Sequence, residues 1–109
     1  MIDIEHLQNE IVERLKPLNP EKIILFGSYA YGEPDEESDI DLFVVKDVTE
    51  KEVRSTMIKA KKMLRDLVFR EKIGVDIFVD SSSRIKYRIE DVKDQFYRQI
   101  LEQGKVLYG

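Results

Sequence analysis

Leu25-Phe26-Gly27-Ser28-Tyr29-Ala30-Tyr31-Gly32 closes a short apolar run, Ile23-Ile24-Leu25-Phe26, on a glycine and a serine. A continuous run of four large apolar residues bounded by a turn signal reads as a buried strand. Ser28 is then placed to cap a short helix through Tyr29, Ala30 and Tyr31 that stops at Gly32. A strand that hands its chain through Gly-Ser to a helix start presents free backbone N–H groups to an anion. The missing side chain at Gly27 lets a phosphate approach the backbone, and the Ser28 hydroxyl adds a donor. The stretch is not a Walker loop, because no Gly-Lys-Ser/Thr follows, and the chain contains no G-x-G-x-x-G.

Working outward, ten residues separate Ser28 from Asp39. Asp39-Ile40-Asp41-Leu42-Phe43-Val44-Val45 reads as a second strand. In a strand Asp39 and Asp41 share one face, while Ile40, Leu42 and Val44 share the other. Asp76 interrupts a third apolar strand, Val75 to Val79. Aspartate is a poor strand residue, and a carboxylate among apolar neighbours must be paired, hydrogen-bonded or bound to metal. In isolation Asp39 reads as a strand cap, Asp41 as the partner of a lysine and Asp76 as a sheet-edge charge. Three such groups close together repel and raise one another's pKa unless a cation neutralises them. Mg²⁺ takes carboxylate oxygens, water and substrate phosphates. Two such ions roughly 4 Å apart can clamp the attacking and leaving oxygens of phosphoryl or nucleotidyl transfer.

The rest of the chain supplies the frame. Asp3 caps a first helix to about Lys16, with Leu7, Ile11, Val12, Leu15 and Leu18 as its apolar stripe, and Pro17 and Pro20 end it. Glu33 to Ser38 is an acidic loop. Thr49 and Glu52 form a capping box for a long helix with Val53, Met57, Ala60, Leu64 and Leu67 inward and a basic outer face of Arg54, Lys59, Lys61, Lys62 and Arg65. Ser81-Ser82-Ser83 opens an irregular segment in which Arg84, Lys86 and Arg88 alternate with Ile85, Tyr87 and Ile89. A last helix spans about Glu90 to Gln103, burying Val92, Phe96, Ile100 and Leu101. Val106-Leu107-Tyr108 either finishes the sheet as an edge strand or pairs with another chain. The order α-β-α-β-α-β-α specifies one layered α/β (α+β) unit, a small sheet flanked by helices, as a single domain over residues 1–109.

Composition narrows the chemistry. The 109 residues are 42% apolar and 37% charged, a globular balance with room for one core. No cysteine is present, which removes disulfides, thiolate metal sites and cysteine nucleophiles. The sole histidine, His6, rules against a histidine zinc site or a Ser-His-Asp triad and reads as a surface residue of the first helix. Residues 1–45 carry eleven acidic and three basic side chains, and residues 46–109 eleven acidic and fifteen basic. The net charge of −4 makes nucleic acid an unfavourable general partner. No apolar stretch has membrane-spanning length, and Met1-Ile2-Asp3-Ile4-Glu5 lacks the character of a leader, so a cytoplasmic location without membrane contact is expected.

Taken together, Gly27-Ser28, the ten-residue spacer, Asp39-Ile40-Asp41 and a later strand bearing Asp76 resemble the polymerase-beta-like nucleotidyltransferase superfamily. Leu25 to Gly32, Ser38 to Leu42 and the closing Phe96 to Tyr108 look most like its small stand-alone branch, the minimal nucleotidyltransferases, some of which pair with HEPN-domain proteins in toxin–antitoxin modules. The resemblance covers essentially the whole chain. It implies a mixed sheet flanked by helices, with Asp39 and Asp41 on two Mg²⁺ ions, Asp76 completing the metal site and activating the acceptor hydroxyl, and Gly27 and Ser28 on the NTP triphosphate. It implies transfer of an NMP, AMP from ATP in the antitoxin branch, to a hydroxyl of a HEPN-domain partner. The HEPN-type Arg-x4-His-x-Tyr motif is absent, so the chain would be the transferase and not the toxin. Tyr29 and Tyr31 stand where many relatives carry a basic residue; they read as helix packing, with stacking on a base as the alternative. Two other readings are a non-catalytic module that neutralises a partner by contact, and a small-molecule nucleotidyltransferase of the aminoglycoside-modifying kind. The latter needs an acceptor pocket that this length supplies only with a second copy.

Overall fold

The computed structural model describes residues 3–109; Met1 and Ile2, part of the stretch read for leader character, lie outside them. Helix α1 (Ile4–Leu15) begins where the Asp3 carboxylate accepts the Glu5 N–H and ends in a 3₁₀ turn over Lys16–Leu18. Strand β1 (Lys22–Phe26) leads through Gly27 into α2 (Ser28–Tyr31). Strand β2 (Ile40–Val45) is followed by α3 (Glu50–Met63), opened by the Thr49–Glu52 capping box, then α4 (Arg65–Glu71) and β3 (Val75–Asp80). Helices α5 (Ser82–Glu90) and α6 (Gln95–Gln103) precede β4 (Lys105–Tyr108). The sheet order is β3-β2-β1-β4, with β1 antiparallel to both neighbours and β2 parallel to β3. The expected mixed sheet flanked by helices is therefore present, and Val106 to Tyr108 finish it at one edge.

Side-chain alternation divides the core into two layers. Ile23, Leu25, Ile40, Leu42, Val44, Ile77 and Val79 face one way and pack with Leu7, Ile11 and Leu15 of α1, Ala60 of α3 and Leu67 of α4. Ile24, Phe26, Phe43 and Val45 face the other way, toward Ile85 of α5 and Ile100 of α6. Burial of the large apolar side chains among these, each contributing roughly 1.5–3 kcal/mol, fixes the register of every strand.

Three sequence expectations are corrected. The long helix is broken at Leu64, whose N–H is shared among the carbonyls of Ala60, Lys61 and Lys62; Leu64 and Leu67 stay buried across the break. Residues 82–90 form a helix and not an irregular segment. The alternation of cations with Ile85 and Ile89 mimics a strand, yet those two isoleucines are also four apart, and the Ser81 hydroxyl accepts the Arg84 N–H as a helix cap. The last helix begins at Gln95, after a turn in which Lys93 is left-handed (φ 62°) and Asp94 caps the N–H groups of Phe96 and Tyr97. Of its expected inward residues only Ile100 is buried; Val92, Phe96 and Leu101 are each exposed by more than two-fifths. His6 is exposed, as are Arg54, Lys59, Lys61, Lys62 and Arg65. Among the described residues no helix is long and apolar enough to cross a membrane.

Candidate active site

The sequence-predicted site residues converge at one end of the sheet, where β1 ends and β2 and β3 begin. Asp41 lies in register with Phe26 on β1 and with Asp76 on parallel β3. The two carboxylates therefore project side by side from one face of the sheet. Asp39 sits one residue before β2, exposed, beside the start of β3. Asp76 is also exposed, and Asp41 is half-buried.

Two glycines make room for these groups. Gly27 has φ 74°, a left-handed conformation that favours glycine, and an added Cβ would collide with Asp41 Oδ2. The carboxylate thus rests directly over the turn that leads into α2. At Gly74 an added Cβ would collide with Asp39 Oδ1 and stand 2.9 Å from its Cγ. The Gly74 carbonyl accepts the Ile40 N–H at 2.9 Å, which holds the backbone of Asp39 and Ile40 against it. Gly74 stands directly before β3. Its signal was there: a glycine opening a strand whose second residue is an aspartate.

The electrostatics are one-sided. Burial pushes the Asp41 carboxyl up to about 6, and the charges of Asp76 and then Asp39 push the same way. Among the described residues no lysine or arginine forms an ion pair with Asp39, Asp41 or Asp76. Nor do three His, Cys, Asp or Glu side chains among the described residues close into a ready-made metal cage. That arrangement suits Mg²⁺, which binds through one or two carboxylates and fills its octahedron with water and substrate phosphates. The cradle over Gly27 and the accumulated negative charge fit the residues to such a cation.

On the anion side the expected Ser28 cap is corrected: Gly27 is the cap residue of α2, Ser28 is its first helical residue, and no side chain caps the N-terminus. The Gly27 carbonyl accepts the N–H groups of Ala30 and Tyr31, each at 3.0 Å. Tyr29 packs against the α1/α3 layer and Tyr31 against the α5/α6 layer, so both tyrosines are packing residues. Burial raises the Tyr29 phenol above its ordinary value. Grooves of about 320 Å³ (Ile58, Lys61, Val68) and 350 Å³ (Val45, Ile85, Leu101) open elsewhere and touch none of these residues.

Residues 7–107 match the family described as Nucleotidyltransferase domain. The chain belongs to that nucleotidyltransferase family. Among its relatives, Putative protein adenylyltransferase MJ0604 of Methanocaldococcus jannaschii is 38% identical over 87 residues, spanning 80% of this chain and 77% of that one. Putative protein adenylyltransferase MJ0141 of the same organism is 33% identical over 85 residues, 77% and 75% of the two chains. Two solved structures share the nucleotidyltransferase fold with a TM-score of 0.62 over 94% of this chain and 73% of each of theirs. One is a mutant of the toxin-antitoxin MntA-HpeT, 22% identical. The other is a toxin-antitoxin with AMP-PNP, 24% identical. The family expected from Gly27-Ser28 and Asp39-Ile40-Asp41 is the family found.

Proposed function

We propose that the chain works as one Mg²⁺-dependent nucleotidyltransferase domain that moves AMP from ATP to a hydroxyl of a partner protein, and that the partner is a HEPN-type toxin. The observation that carries the reading is the convergence of Asp41 with Asp76, with Asp39 alongside, over a side-chain-free turn at Gly27. The two relatives named as protein adenylyltransferases support protein as acceptor. The toxin–antitoxin structures, one of them with AMP-PNP, support the partner and the nucleotide.

In this reading Gly27 and Ser28 hold the triphosphate through backbone N–H groups and the serine hydroxyl, and Asp39 and Asp41 hold magnesium, with Asp76 completing the site. Magnesium, when bound, supplies positive charge against the triphosphate and the departing pyrophosphate. Asp76, exposed at the edge of the site, accepts the proton of the acceptor hydroxyl as its oxygen bonds to the α-phosphorus. The bond from the α-phosphorus to the bridging oxygen breaks, and pyrophosphate leaves. The half-buried Asp41 carboxyl, raised by burial and then by its neighbours, keeps its negative charge at neutral pH once a cation is beside it.

The test is transfer of label from α-labelled ATP and Mg²⁺ into proteins of a lysate of the source cells, comparing the wild type with the Asp39→Asn, Asp41→Asn double variant. A labelled protein band that requires both aspartates is expected, and its size identifies the acceptor. Full neutralisation of a co-expressed partner by the double variant would instead establish a module acting by contact alone.

A further inference from the structure

Three phenylalanines from three elements meet beside the carboxylates. Phe26 shares a row with Asp41 and directly precedes Gly27. Phe78 follows Asp76 by two residues on β3 and so projects from the same face. Phe96 comes from the first turn of α6. Their ring centroids stand 5.8 Å (Phe26–Phe78), 5.7 Å (Phe26–Phe96) and 5.7 Å (Phe78–Phe96) apart, tilted or edge to face, so each ring braces the other two. Phe26 is buried, but Phe78 is 39% exposed and Phe96 44% exposed.

The cluster is held from behind. Tyr97, next to Phe96, donates its hydroxyl to Asp80 Oδ2 at 2.8 Å and sets its ring edge-on to Phe43 at 5.4 Å. Helix α6 is thereby fixed to the far end of β3, and Phe96 with it. Two rigid, half-wet aromatic rings one side-chain row from a phosphate-binding turn are a costly thing to leave in water without use.

The geometry points to Phe78 and Phe96 as the stacking ledge for the base of the nucleoside triphosphate. Of the substrates, the nucleotide is the one that the family's reaction guarantees, and its base is the flat apolar part. With the phosphates at Gly27 and Ser28, which this inference takes from the reading above, the base lies one ribose away, within reach of the rings that begin at Phe26. A ledge of phenylalanines offers ring area and no hydrogen-bond donor or acceptor. It therefore favours purine over pyrimidine triphosphates and ranks adenine and guanine nearly alike.

The experiment is calorimetric binding of ATP, UTP and inorganic tripolyphosphate, each with Mg²⁺, to the wild type and to Phe96→Ala and Phe96→Leu. Melting followed by circular dichroism verifies that each variant is folded, and Phe96→Leu keeps most of the apolar volume should the alanine variant melt early. Phe96→Ala is expected to bind ATP about tenfold more weakly while tripolyphosphate changes by less than about twofold, with Phe96→Leu between. The wild-type preference for ATP over UTP should shrink in parallel. If ATP binding is unchanged, or falls in step with tripolyphosphate, the ledge is refuted while the phosphate site stands. If the wild type binds neither ATP nor tripolyphosphate, the phosphate site and the ledge fall together.

Discussion

Strand β3 carries an aspartate near each end of one face, and the two live under opposite rules. Asp80, at the carboxyl end, is almost fully buried. Its Oδ2 accepts the Tyr97 hydroxyl, its Oδ1 accepts the Ser81 N–H at 2.9 Å, and the Arg84 Nε stands 2.9 Å from the same oxygen. Burial and then that hydrogen bond push the Tyr97 phenol up to about 12, so it remains a donor throughout the working range. Asp76, at the amino end, is exposed and faces Asp41 across the ladder. One carboxylate is surrounded by donors and ties α5 and α6 to the sheet. The other is set among like charges. An acid that holds the fold together is given its counter-charge by the chain, whereas the acids that the proposed reading sets on magnesium are given none among the described residues.

Perturbing each end separately sharpens the contrast. The largest effect belongs to the functional end. The Asp39→Asn, Asp41→Asn double variant should lose at least about a hundredfold in transfer rate, because a bound metal supplies several kcal/mol of charge stabilisation, while its melting temperature does not fall. Label transfer and thermal melting on one preparation check both halves. At the structural end, Asp80→Ala leaves the Tyr97 hydroxyl without its acceptor and Arg84 with only Glu50, 3.6 Å away. It should cost about 2 kcal/mol, lowering the melting temperature by about 10 °C, with the proposed transfer unaffected well below the new midpoint.

A third perturbation acts on the amino end alone, through the backbone. Gly74→Ala should raise the Mg²⁺ concentration needed for half-maximal binding about tenfold, because the new methyl displaces the Asp39 carboxylate. Calorimetric Mg²⁺ titration reads this without any need for turnover. The smallest effect is a gain. In metal-free protein Asp41→Asn should raise stability by about 1 kcal/mol, a figure already reduced for solvent screening at a half-exposed group. The wild type should show the same gain through pH. A carboxyl raised from its ordinary 3.8 to about 6 binds a proton in the folded state before the unfolded chain does. Metal-free stability therefore increases as pH falls from above 6 toward 4, and Mg²⁺ should flatten the slope. Melting curves across that range, with and without Mg²⁺, show whether it does.

Much of this comparison was legible in the residues. The amino end could be read as a candidate site because its signs are local: aspartates at alternate positions in one apolar run and a glycine-serine junction after another. The positions of β1, β2 and β3 along the chain and the Thr49–Glu52 cap were legible for the same reason. The structural end was opaque because its partners are distant in sequence. Nothing near Asp80 announces Tyr97, seventeen residues on, and Ser81-Ser82-Ser83 carries turn composition although Ser81 works as a helix cap. Phe96 was read as core from helical spacing, which reports a face and not what covers it. The face of α6 is apolar, but Phe96 and Leu101 on it stay exposed by more than two-fifths.

The place of β4 has a consequence for the order of synthesis. β1, the strand that carries the Gly27 turn, pairs on one side with β2, which follows within about twenty residues, and on the other with Lys105 to Tyr108, some eighty residues later. A ribosome has long released β1 before its second neighbour exists, and until then that strand presents a row of unpaired amide and carbonyl groups. A message cut short ahead of Lys105 would yield a chain with Asp39, Asp41 and Asp76 present and this edge open, prone to recruit a strand from another molecule.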